Sequence, residues 1–214
     1  MPTYRLETEW MREHGAARVC GIDEVGRGPW AGPVTAVAVV LDIDKIPQRL
    51  QRKLKDSKEL DREQREDADK RLRDLFTSAV WAGFGEASVN EIDEINILQA
   101  SFLAMRRAVA ALPVAPDAAL VDGNIYPKDM PCTGRAVIGG DGLSLSIAAA
   151  SILAKVARDK LMAELCEAHP GYGWRTNAGY GTPEHQAGLE RLGVTLHHRR
   201  SFAPIARLLA NVAT

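Results

Sequence analysis

The chain has 214 residues, with 27 Lys and Arg against 28 Asp and Glu, a formal net charge of -1 and 46% hydrophobic residues. A charged fraction of 26% beside that apolar content is globular composition, which excludes a disordered, collagenous or coiled-coil chain and suits one compact domain. Near-neutral charge provides no global basic field that would advertise a nucleic-acid partner.

At the N-terminus, Arg5, Glu7, Glu9, Arg12 and Glu13 interrupt the apolar residues, so no signal peptide is expected. Residues 18–23 and Val34–Leu41 are short β-branched runs on either side of the glycine-rich stretch 26–33. They read as two strands with a tight connection, the second apolar enough to be buried on both faces. Residues 45–58 carry six basic side chains against one acid, Asp56, and residues 61–76 form a charged amphipathic helix. A third strand is expected at 78–86.

Ser88 and Glu91 form a capping box, which opens a long helix whose apolar residues, from Ile92 to Val109, recur every three or four positions and stop before Pro113. Strands are expected again at 118–121 and 135–138, ending on Asp122-Gly123-Asn124 and leading into Gly139-Gly140-Asp141-Gly142. An Ala-rich helix spans 146–168, and Thr182-Pro183-Glu184 starts another with proline in its first turn. A hairpin followed by alternating strands and helices predicts an α/β fold around a mixed sheet. The stretch from about residue 170 onward is helical and polar, giving a main body over 1–169 and a small helical region over 170–214. Cys20, Cys132 and Cys166 have no disulfide or zinc spacing, and no apolar stretch is long enough to cross a bilayer, so a cytoplasmic protein is expected.

The acids carry the chemical signal. Asp23 and Glu24 end the first strand, Asp122 ends the fourth and Asp141 follows the fifth. Carboxylates at strand ends of such a sheet converge on one edge, where ligands bind. Their mutual repulsion raises their pKa values unless a hard divalent cation offsets it, and the absence of a neighbouring histidine argues for Mg²⁺ over zinc. Two such ions would serve in-line phosphodiester hydrolysis. Taken singly, each Asp-Gly pair is more often a turn.

Other motifs leave two readings open. Gly26-Arg27-Gly28 lacks dinucleotide-fold spacing, yet its backbone could approach a substrate closely with Arg27 available for a phosphate, or it could be a plain bulged hairpin. Ser151 and Lys155, one helical turn apart, suggest a Ser-Lys hydrolase or local packing that supports the acids. Tyr172, Trp174 and Tyr180 could stack on bases or pack against the body. His197-His198-Arg199-Arg200 has no nearby acid in sequence and could meet phosphate or start a solvated helix. Basic residues thus gather at 45–58 and 197–207, so the neutral total conceals a polarised surface. A non-catalytic nucleic-acid-binding module is the alternative to a nuclease, although uncompensated acids beside a phosphate groove would weaken binding.

Taken together, residues 21–29 (Gly-Ile-Asp-Glu-Val-Gly-Arg-Gly-Pro), Asp56-Ser57-Lys58, Val121-Asp122-Gly123-Asn124, Gly140-Asp141, the run 149–159, Gly179-Tyr180-Gly181-Thr182 and 197–202 resemble bacterial ribonuclease HII, in that family's order over nearly the whole chain. The resemblance implies a ribonuclease H-like fold, with a five-stranded mixed sheet flanked by helices and a small helical C-terminal region. It implies an Mg²⁺- or Mn²⁺-dependent endonuclease that is a monomer and acts on RNA–DNA hybrids. The same enzyme would cut 5′ to single ribonucleotides in duplex DNA, leaving 3′-hydroxyl and 5′-phosphate ends. Asp23, Glu24, Asp122 and Asp141 would be the metal-binding catalytic acids. Gly26, Arg27 and Gly28 would read the 2′-hydroxyl and cradle the adjacent phosphate, Lys58 would contact the backbone and Tyr180 would stack at the RNA–DNA junction. Gly139, Gly142 and Glu59 depart from the commonest family pattern without touching the acids.

Overall fold

The computed structural model describes residues 1–55 and 57–212, together with every side chain in that set except that of Val212. Asp56, part of the basic-segment reading, lies outside the described residues. In chain order the elements are α1 (Arg5–His14), β1 (Val19–Val25), β2 (Val34–Leu41), α2 (Gln48–Gln51), α3 (Arg62–Asp74), β3 (Val80–Ala87) and α4 (Val89–Ala110). They continue with β4 (Ala118–Asp122), β5 (Thr133–Val137), α5 (Leu145–Ala168), α6 (Trp174–Asn177), α7 (Pro183–Leu192) and α8 (Ala203–Val212).

The strands form one mixed sheet in the order β3-β2-β1-β4-β5. β1 runs antiparallel to β2 and parallel to β4, and β4 runs parallel to β5. Alternation along β2 explains its uniformly apolar sequence. Val37, Val39 and Leu41 enter the core against α3 and α5, while Ala36, Ala38 and Val40 enter the opposite core against α4. Successive residues of a strand point to opposite faces, so both faces must be apolar when helices cover both. Helix α5 presses on β1 at Gly21, where an added Cβ would stand 2.3 Å from the backbone nitrogen of Ile147.

Three local expectations are corrected. The connection between β1 and β2 is an eight-residue loop, 26–33, instead of a tight turn. The capping box opens α4 as expected, but the helix breaks at Asn96, whose φ is 67° and whose side-chain oxygen receives the amides of Leu98 and Gln99. That oxygen caps a second helical segment, a role for which asparagine is suited and which apolar periodicity does not register. Helix α1 was not foreseen: its apolar side, Leu6, Trp10 and Met11, packs on Val19 and Ile147, and its buried Glu7 accepts hydrogen bonds from the Ser144 and Ser146 hydroxyls.

A satellite core gathers Ala31, Met162, Tyr172, Trp174, Leu189 and Ile205, joining the loop after β1, the second half of α5 and the C-terminal helices. Among the described residues no helix is long and apolar enough to cross a membrane.

Candidate active site

Parallel pairing brings the first two acids together. Ile22 of β1 is opposite Val121 of β4, so the next residues, Asp23 and Asp122, stand level on neighbouring strands and share a face. The third is delivered by a turn. Asp122 Oδ1 accepts the amide of Gly140 at 2.7 Å, which ties the short 3₁₀ turn Gly140–Gly142 to the end of β4 and turns Asp141 into the site. Carboxylate oxygens of Asp23, Asp122 and Asp141 lie within 4.8 Å of one another.

Glu24 stands beside this triad and is not one of the three converging oxygens. Its Oε1 accepts a hydrogen bond from Arg27 Nη1 at 3.2 Å. Burial, reinforced by the charges of Glu24, Asp122 and Asp141, raises the Asp23 carboxyl well above its usual range. Glu24 is also raised, by burial first and by Asp122, while Arg27 opposes the shift. Three converging carboxylate oxygens, with the Asp23 carboxyl raised by burial and by its acidic neighbours, fit a hard divalent cation with oxygen ligands.

The sequence-proposed contacts divide. Lys58 Nζ lies 3.9 Å from Asp141 Oδ2. Asp23, Glu24, Ser57, Lys58, Ser151 and Tyr180 line one cavity of about 250 Å³. A Cβ placed on Gly28 would be 3.2 Å from Tyr180 Cε1, so the half-exposed Tyr180 ring lies over the glycine-rich loop. Tyr172 and Trp174 belong to the satellite core and do not reach the cavity.

Ser151 and Lys155 do not form a nucleophile-base pair. The Ser151 hydroxyl is hydrogen-bonded to that of Ser57 at 2.8 Å and also favours the charged form of Asp23, whereas Lys155 donates to Asp159 at 2.6 Å. The run 197–200 is neither a solvated helix start nor, at His198 and Arg199, a phosphate contact. Those two side chains are fully buried, and the amides of Arg200 and Ser201 donate to Asp93, an acid remote in sequence. The basic segment is likewise partly neutralised, since Lys45 pairs with Asp42 and Lys53 with Asp67.

Sequence reasoning gave Arg158 no role and Arg199 only a phosphate contact or a solvated position, whereas both are buried and shape the loop 26–33. Arg158 donates to the carbonyls of Ala31, Pro33 and Ala178, and Arg199 to those of Gly26, Arg27, Gly32 and Pro33. Gly26 has φ +94°, and a Cβ there would meet Arg158 Cζ at 2.6 Å, so glycine is required on both counts. The one available signal was a loop rich in glycine and proline whose carbonyls needed donors.

A family model described as Ribonuclease HII matches residues 20–205. A curated relative named Ribonuclease HII, from Paramagnetospirillum magneticum, is 60% identical over 191 residues, covering 89% of this chain and 92% of the relative. The crystal structure of ribonuclease H2 from Pyrococcus horikoshii OT3 superposes with a TM-score of 0.77 at 27% identity, covering 92% of this chain and 99% of that one. A structure titled Bst-RNase HIII in complex with Mn²⁺ shares the fold, with a TM-score of 0.72 at 20% identity, over 91% of this chain and 70% of that one.

Proposed function

The chain belongs to the ribonuclease HII family, metal-dependent nucleases that hydrolyse the RNA of RNA–DNA hybrids, and we propose that Asp23, Glu24, Asp122 and Asp141 are its catalytic acids. We propose further that it cuts 5′ to single ribonucleotides in duplex DNA, leaving 3′-hydroxyl and 5′-phosphate ends, in ribonucleotide and RNA-primer removal. The observation that carries this reading is the meeting of Asp23, Asp122 and Asp141 within 4.8 Å at the strand ends, beside a cavity walled by Tyr180 and Lys58.

Asp23, Asp122 and Asp141 would hold Mg²⁺ or Mn²⁺, with Glu24 reaching the same site once Arg27 turns to substrate. Bound divalent ions supply an activated water and offset charge on the leaving 3′-oxygen. The chain's own groups place the scissile bond. Arg158 and Arg199 hold the loop carbonyls, and the amides around Arg27 and Gly28 would face a 2′-hydroxyl and a phosphate; the 2′-hydroxyl is what separates RNA from DNA. Tyr180 would stack on the deoxyribose that follows the ribonucleotide, and Lys58 would take a backbone phosphate. The satellite core supports reading 170–214 as a small region packed on 1–169.

The test is incubation of the purified protein with an end-labelled duplex bearing one ribonucleotide, with Mg²⁺, Mn²⁺ or EDTA, and mapping of the product ends. A cut 5′ to the ribonucleotide with either metal, abolished by EDTA, supports the reading. Cleavage of a continuous hybrid alone would restrict the protein to that substrate.

A further inference from the structure

Two elements with proposed substrate contacts, the loop 26–33 and the turn at Tyr180, are clasped by one dipeptide. Ala31 pairs with His198 in an antiparallel bridge, the Arg199 amide donates to Trp30 O at 2.8 Å, and the Trp30 amide donates to Gly179 O at 2.8 Å. From there the two side chains diverge. Arg199 enters the loop and donates to Arg27 O at 2.9 Å and to Gly26 O at 2.5 Å. His198 turns toward His185, with their Nε2 atoms 3.0 Å apart, and His185 Nδ1 lies 2.9 Å from Tyr180 O.

Partner chemistry assigns every proton along this path. The Thr195 amide can only donate, and it points at His198 Nδ1 at 2.9 Å, so the neutral His198 ring carries its hydrogen on Nε2. That hydrogen faces His185 Nε2, which also receives the Trp174 indole N–H at 3.1 Å. His185 Nε2 is therefore an acceptor, its hydrogen sits on Nδ1, and it donates to the Tyr180 carbonyl. The relay runs one way, from Thr195 through both rings to Tyr180, and it requires both rings to be neutral. Burial favours that state in both rings, and the neighbouring His185 imidazole adds to it at His198.

We propose that the His198–Arg199 pair is a positioning device that sets Tyr180 and Gly26–Gly28 in a common register, so that preference for an RNA–DNA junction depends on two residues that do not line the cavity. The proposal rests on the reading of Tyr180 and Gly26–Gly28 as substrate contacts. Stacking and 2′-hydroxyl recognition both demand placement to a fraction of an ångström. A carbonyl held by a directional hydrogen bond supplies that placement on one side and a guanidinium fork supplies it on the other.

The experiment compares kcat/KM on a duplex with one embedded ribonucleotide against kcat/KM on a continuous RNA–DNA hybrid. Wild type, Tyr180→Ala, His198→Leu, His198→Gln and Leu189→Ala are measured together. Tyr180→Ala and His198→Leu should each lower the ratio by about tenfold or more, and His198→Gln, whose amide can still donate toward His185, should restore most of it. Leu189→Ala removes packing from the same core and should lower Tm while leaving the ratio unchanged. An unchanged ratio in His198→Leu beside a shifted Tyr180→Ala overturns the proposal, as does an equal shift in Leu189→Ala. An unchanged ratio in Tyr180→Ala removes the reading on which it rests, and a wild type that ignores the embedded ribonucleotide removes the proposed function itself. Should His198 variants not fold, ¹⁵N NMR of the wild-type imidazoles at neutral pH decides. Hydrogens on His185 Nδ1 and His198 Nε2 are required, and the opposite tautomers refute the relay.

Discussion

Asp122 Oδ1 holds the backbone amide of Gly140 at 2.7 Å, so the residue that ends β4 also fixes the turn from which Asp141 reaches the site. Asparagine at 122 keeps that acceptor and loses only the charge. Asp122→Asn should therefore preserve Tm and substrate binding while reducing Mg²⁺-dependent cleavage by on the order of a thousandfold. Asp122→Ala should lose stability as well. Full cleavage by Asp122→Asn would remove Asp122 from the catalytic role.

Without metal, the site is a charged cluster that opposes folding. The folded-state pKa of Asp23 is raised, so the folded state binds more protons than the unfolded one. That stabilising proton is lost as pH rises through the raised pKa, and at neutral pH the carboxylate is a cost. Asp23→Asn should raise the Tm of the metal-free protein by roughly 2–4 °C, and Mg²⁺ should stabilise the wild type more than the variant. Thermal scans with EDTA and with Mg²⁺ check this, and a lower metal-free Tm for Asp23→Asn would contradict it.

The histidine relay has the opposite sign. Burial, with help from His185, pushes His198 down to about 4, so the unfolded state binds more protons between about 4 and the ordinary value of 6.5. Stability from this group is complete above 6.5 and is lost as pH falls toward 4. His185 and His197 shift in the same direction, while Asp23 opposes them. Between pH 6.5 and 4 the Tm of His198→Gln should fall less steeply than that of wild type; equal slopes would show that His198 does not titrate differently on folding.

Neighbouring glycines of the loop should behave differently. Gly26→Ala places a Cβ at φ +94° and into Arg158, which should cost about 1–3 kcal/mol of stability, read by urea denaturation. Gly28→Ala has no positive φ and approaches only Tyr180 at 3.2 Å. It should lower cleavage with little change in the urea midpoint.

Ser151 lies against Asp23 and Ser57, while Lys155, the base that a Ser-Lys pair would need, donates to Asp159. Ser151→Ala should slow cleavage by roughly tenfold at most, the loss of one hydrogen bond to a charged group. The remaining activity should still vanish in EDTA. Abolished activity in Ser151→Ala, or cleavage indifferent to EDTA, would revive the hydroxyl-nucleophile reading.

Much of this protein was determined locally. Short β-branched apolar runs marked the strands, Ser88 with Glu91 and Thr182 with Pro183 marked helix starts, and Asp23, Asp122 and Asp141 were visible as acids at strand ends. These signals survive in sequence because they depend on residues within a turn or two of one another. What the tertiary structure decided depends on pairings between residues about a hundred or more positions apart. The parallel neighbours β1 and β4 bring Asp23 level with Asp122. Asp93 finds Arg200 and Ser201, and Arg199 is buried under the glycine-rich loop instead of lying in solvent. A buried arginine and a solvated one are the same letter in a sequence. Only the carbonyls that the fold brings around the guanidinium distinguish the arginine that builds the site from those that coat the surface.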